Sequence, residues 1–61
     1  MYKYFVTAYD KSGKHLLNDV IEAGDDQAGR ENGMKKLEDE NLLLHTSRVV
    51  NSKGKLLYFH A

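Results

Sequence analysis

Apolar and polar residues alternate along both ends of the chain, and the middle shows a sparse helical spacing instead. Residues 2–9 (Tyr-Lys-Tyr-Phe-Val-Thr-Ala-Tyr) are aromatic and β-branched, which predicts a strand. Asp10-Lys11-Ser12-Gly13 has Asp at the first and Gly at the last place of a four-residue turn, the type I preference. Residues 15–23 return as a second strand, with a bulge expected at Asn18-Asp19. Residues 42–50, the turn Asn51-Ser52-Lys53-Gly54 and residues 55–60 repeat this design. Aligning Gly13 on Gly54 places Asp10 on Asn51, Lys14 on Lys55 and Leu16 on Leu57, a weak pseudo-repeat at an offset of 41 residues.

Between the hairpins, roughly residues 25–40 form the one helix candidate. Asp25 or Asp26 serves as N-cap, and both acids suit the positive end of the helix dipole. Arg30, Gly33, Met34 and Leu37 share a face, a narrow stripe. Gly29 and Gly33 each cost about 0.8–1.0 kcal/mol relative to Ala, so their spacing of four suggests a flat patch lying close to the sheet, the alternative being that Gly29 is a tolerated surface glycine. The predicted fold is α+β, ββαββ: residues 1–61 as a single domain with a four-stranded, mainly antiparallel sheet and one helix across one face. A sheet completed by strands of two chains is the alternative.

Register decides which side chains share a face. With a glycine bulge in each type I turn, Ala8 pairs with Leu16, Tyr9 with His15, Arg48 with Tyr58 and Thr46 with His60. The helix then covers Tyr4, Val6, Ala8, Leu16, Val20, Val49, Leu57 and Phe59. The open face collects Phe5, Thr7, Tyr9, Leu17, Ile21, Arg48, Leu56 and Tyr58, with His60 at its rim. Under either register both faces are substantially apolar, and one narrow helix covers only one of them. An uncovered apolar face on a small protein points to a partner.

Charge refines this picture without overturning it. Nine Lys and Arg balance nine Asp and Glu, which argues against a dedicated nucleic-acid binder. Yet residues 19–40 hold eight of the nine acids, and the flanking arms are mildly basic. No Cys is present, which excludes disulfides and cysteine-based zinc sites and fits a cytoplasmic location. No apolar run approaches the ~20 residues that span a bilayer, so no membrane partner is expected.

Chemistry-bearing residues are sparse. His45 and His60 lie on neighbouring strands, but a metal site needs three or four ligands, and residues 41–61 contain no acid or Cys to complete one. His15 stands alone at a strand end. Ser12 and Ser52 belong to turns, and Ser47 carries no nucleophile signature. A chain of this size has little room for the ~300 Å³ pocket a small ligand requires. Neither catalysis nor a cofactor is expected.

Two stretches carry a family resemblance. Phe5-Val6-Thr7-Ala8-Tyr9-Asp10-Lys11-Ser12-Gly13-Lys14-His15-Leu16-Leu17 resembles the opening hairpin of the small YhzD-like proteins of Bacillus relatives. The tail from His45 to His60 is similar to that family's Thr-His-Arg-Val…Ser-Gly-Lys-Leu…Phe-His ending. Ser47 departs from the His that precedes the Arg in the family pattern, which weakens a shared role there. The resemblance implies a bacterial cytoplasmic protein of uncharacterised function, and it supplies no cofactor, substrate or catalytic residue.

The expectation is therefore a non-enzymatic protein-interaction module acting through the open sheet face. Its candidate contact residues are Phe5, Tyr9, Leu17, Ile21, Arg48, Tyr58 and His60, and its partner is another protein or a second copy in a homodimer. The alternative is single-stranded RNA binding through Phe5, Tyr9, Tyr58 and Arg48, flanked by Lys11, Lys14, Lys53 and Lys55.

Overall fold

Two hairpins with matching turn chemistry flank the helix. The computed structural model describes residues 1–61. Strands β1 (Tyr2–Tyr9) and β2 (His15–Ala23) precede helix α1 (Asp26–Asp39), and β3 (Thr46–Asn51) and β4 (Leu56–His60) follow it. All pairings are antiparallel, and the four strands of one chain form one sheet in the order β2-β1-β3-β4. The expected ββαββ arrangement is the one adopted.

Each turn is organised by an Asx side chain. Asp10 Oδ1 accepts from the Ser12 and Lys14 N–H groups at 2.9 Å and from the Ser12 hydroxyl at 2.7 Å. Asn51 Oδ1 likewise accepts from the Lys53 and Lys55 N–H groups, at 3.0 and 2.9 Å. Gly13 and Gly54 close the turns at φ of 87° and 84°, a region that favours glycine.

A second irregularity follows each turn. Tyr9 faces His15 as expected, but Ala8 faces Leu17. Val50 faces Leu56, but Val49 faces Tyr58. Leu16 and Leu57 are thus left unpaired at equivalent places, three residues after their glycines. The expected bulge at Asn18-Asp19 is absent, for these residues pair regularly with Thr7 and Val6. One extra residue reverses the facing of everything beyond it, so Leu17, Ile21, Tyr58 and His60 turn toward the helix. Val20 and Phe59 turn away from it.

The hairpins are related by an approximate two-fold axis. A residue's counterpart in the second hairpin lies 41 positions on, and Thr7 pairs with Arg48, its own counterpart. The axis therefore passes through that central pair, normal to the sheet. It relates the turn joining β1 and β2 to the turn joining β3 and β4, at diagonally opposite corners.

Helix α1 breaks this symmetry by covering one face. Asp25 caps it by accepting from the Ala28 N–H at 2.8 Å. At its other end Asn41 takes φ 58°, with Asn41 N–H to Glu38 O at 3.0 Å and Leu42 N–H to Leu37 O at 2.7 Å, a Schellman closure. The buried stripe is Gly29, Gly33 and Leu37. Arg30, expected on that stripe, is exposed: its Nε donates to Leu57 O at 3.1 Å and its guanidinium lies 5.7 Å from the Tyr58 ring centre.

Both glycines permit close approach. A Cβ on Gly29 would sit 2.5 Å from the Tyr4 ring, and one on Gly33 would sit 2.6 Å from a Val49 methyl. The core beneath comprises Tyr4, Val6, Ala8, Ala23, Leu37 and Val49. Leu17, Ile21, Leu42, Leu43, Leu57 and Tyr58 pack at its edge.

Two polar links lock helix to sheet. Asp26 accepts from the Tyr4 hydroxyl at 3.1 Å and from Asn51 Nδ2 at 3.3 Å. Farther along, Lys36 pairs with Asp19 at 3.2 Å.

Candidate functional site: the bare face of the sheet

The register lays the open face out in rows. Val20–Phe5–Val50–Leu56 runs across all four strands as an unbroken apolar row. The next row is Asn18–Thr7–Arg48–Phe59, and beyond it lies His15–Tyr9–Thr46. The large apolar side chains here are substantially wet: Phe5 is 38% exposed, Val20 49%, Leu56 51% and Phe59 56%.

A small polar cluster adjoins the apolar row. Arg48 Nη2 donates to the Tyr9 hydroxyl at 3.2 Å, and its guanidinium lies 5.7 Å from that ring's centre. On the other side, the His15 ring is tilted against Tyr9 at 4.6 Å between centroids. Tyr9 thus holds Arg48 at the centre of the sheet, next to the two-fold axis.

Of the seven sequence-derived candidates, Phe5, Tyr9 and Arg48 share this face. Leu17 and Ile21 pack at the core edge, Tyr58 lies under Arg30, and His60 pairs with Ser47 on the helix side. Sequence reasoning placed Val20 and Phe59 under the helix and did not group His15 with the face. The clue was the doubled leucine after each Lys-flanked turn, Leu16-Leu17 and Leu56-Leu57, which interrupts strict alternation where the strand carries an extra residue.

The other histidines and the serines hold separate positions. Contrary to the expectation that so short a chain leaves little room for a ~300 Å³ pocket, His45 helps line an open groove of about 660 Å³ between the first turn and the approach to β3, with Tyr9, Asp10, Lys11, Leu44 and Thr46. Asp10, on its wall, is held below the usual carboxylate range by the Ser12 hydroxyl and then by the Lys14 N–H. Ser47 Oγ and His60 Nδ1 are buried without a protein hydrogen-bond partner. No group of three or more His, Cys, Asp or Glu side chains comes together as a metal site. No helix is long and apolar enough to cross a membrane.

The fold and this face define a small α+β protein: a single four-stranded antiparallel sheet armoured on one side only. The chain belongs to the YhzD-like protein family, whose model matches residues 1–61. It is 42% identical over 60 residues to Uncharacterized protein YhzD of Bacillus subtilis (strain 168), covering 98% of each chain. No solved structure matches it.

Proposed function

We propose that the protein is a non-enzymatic interaction module whose working surface is the bare face of the sheet. The observation that carries this reading is the exposed row Val20–Phe5–Val50–Leu56, with Phe59 beside it, opposite the helix. Two-sided apolar strands need cover on both sides, and α1 supplies only one layer.

Support for a binding rather than a catalytic role comes from the commitments of the polar groups. Asp10 and Asn51 are spent on turns, Asp25 on a cap and Asp26 on tying helix to sheet. Arg48 and Tyr9 satisfy each other on an open surface where water is not excluded.

A photoreactive amino acid in place of Phe59, compared with one in place of Lys35 on the helix, tests this in the native cell. The expected result is a discrete adduct, whether protein or nucleic acid, from position 59 only. Adducts from position 35 alone, or equal yields from both, refute the sheet face as the working surface.

A further inference from the structure

We infer that the occupant of the bare face is a short stretch of single-stranded RNA, an identification that rests on the reading just given. The balanced net charge conceals a segregation already visible along the chain, which the fold turns into a difference between sheet and helix. The strands and their turns carry Lys3, Lys11, Lys14, Arg48, Lys53 and Lys55. Against them stand Glu22, Asp10, whose carboxylate is occupied in its turn, and Asp19, which faces the helix and pairs with Lys36. The helix and its caps carry six acids, Asp25, Asp26, Glu31, Glu38, Asp39 and Glu40, against Arg30, Lys35 and Lys36. Counted by element, the strands and turns are therefore net cationic and the helix with its caps net anionic, although Glu22 stands across from Lys3 on the bare face.

The cations are also arranged. Lys11 and Lys14 sit in one turn, Lys53 and Lys55 in the other, and these turns occupy diagonally opposite corners about the Thr7–Arg48 pair. Asp10 and Asn51 each lie three residues from that pair, so the turns stand ~20 Å apart along the strands. Arg48 lies midway. Lys53 and Lys55 share a groove with Asp25 and Asp26 at one corner, so Lys11, Lys14 and Arg48 make the stronger half of this track; its full length suits the phosphates of roughly four nucleotides, the small end of single-strand site sizes. Beside the track, Phe5 and Phe59 are exposed aromatic side chains available for stacking, and the His15 ring and Arg48 guanidinium, both set against Tyr9, add two flat polar groups. Thr7, Thr46 and Asn18, in the same rows, present hydroxyl and amide groups able to meet a ribose 2′-hydroxyl.

A second copy fits this face poorly. Stacking two copies through their bare faces about the central pair brings Arg48 of each together, and like-charge contacts in an interface are costly; Lys3, at the strand end, has Glu22 across from it. A polyanion with π-faced bases meets both the charge and the rings.

The test uses the full chain and a fluorescein-labelled eight-nucleotide uridylate RNA, followed by anisotropy at 20 mM and 150 mM salt. Saturable binding is expected at low salt, weakening at least tenfold at the higher salt as counterions are no longer released so favourably. Phe59→Ser and Arg48→Ala each weaken it at least fivefold, and Lys35→Ala leaves it unchanged. Circular dichroism confirms that each variant is folded, and Phe59→Leu keeps the apolar bulk while removing the ring, so it too must weaken binding. Absence of binding at 20 mM salt overturns the proposal. So does equal affinity for the thymidylate DNA octamer, tighter binding to phosphatidylglycerol vesicles, or insensitivity to Phe59→Ser and Arg48→Ala. A concentration-dependent dimer disrupted by Phe59→Ser, or a protein adduct from position 59, overturns the RNA assignment and leaves the bare face as the interaction surface.

Discussion

Asp10 and Asn51 do the same local work, and only one of them has a second task. Each accepts two backbone N–H groups and shapes a turn. Asn51 also donates its amide to Asp26, which simultaneously receives the Tyr4 hydroxyl. A carboxylate at position 51 would lose that donation and face Asp26 with like charge in a part-buried place. Asn51→Asp is therefore expected to destabilise the fold by about 1–3 kcal/mol, read from the urea midpoint. Asp26→Asn in the same chain should recover part of the loss, because it removes the repulsion. Asp10→Asn costs less than Asn51→Asp, since Asp10 makes no contact with the helix.

Helix α1 packs through absence of side chain. Its stripe of Gly29, Gly33 and Leu37 has one large residue, so burial by helix side chains contributes little, and close backbone approach to Tyr4 and Val49 replaces it. Alanine normally stabilises a helix interior by about 1 kcal/mol over glycine. At Gly33 the new methyl meets Val49 at 2.6 Å, a β-branched core side chain with nowhere to retreat. Overpacking of this kind costs about 1–3 kcal/mol, so Gly33→Ala should lower the thermal midpoint despite the better propensity. Combining it with Val49→Ala should cost less than the two single losses added together, the coupling expected of touching residues. Gly24→Ala, where a Cβ meets nothing within 4 Å, serves as the control.

At the scale of the molecule, three groups make the stability of the fold depend on pH. Asp10 is held below its ordinary 3.8 by the Ser12 hydroxyl and the Lys14 N–H. Asp19 is lowered likewise, first by the Val20 N–H and then by Lys36. In both cases the unfolded chain binds the proton more readily. Their contribution is full above pH 3.8 and is lost as pH falls through the lower folded values. Tyr4 behaves oppositely: burial, then its bond to Asp26, raises it above 10.0. The folded state keeps that proton more tightly, so stability present below pH 10 declines as pH rises through the folded value. Urea titrations from pH 2 to 11 should show both flanks. Tyr4→Phe should flatten the alkaline one, and Asp19→Asn should soften the acid one.

How much of this was legible in the sequence follows from the range of each interaction. The turns at Asp10–Gly13 and Asn51–Gly54 and the count of strands depend on groups within four residues of one another, and the chain alone determined them; it narrowed the cap to Asp25 or Asp26, and the structure chose Asp25 by committing Asp26 to Tyr4 and Asn51. The family resemblance and the prospect of one uncovered sheet face were legible in the chain alone as well. The tertiary structure decided which residues occupy that face. An unpaired Leu16 and Leu57 are defined only by partners on β1 and β3, and each sends the rest of its strand to the opposite side. Phe59 and Val20 entered the site by that route, and Leu17, Ile21, Tyr58 and His60 left it. The gathering of acids in the middle of the chain was legible too, whereas the placing of that acidic segment across one face and of the two lysine turns at opposite corners came only with the strand order and the packing of α1.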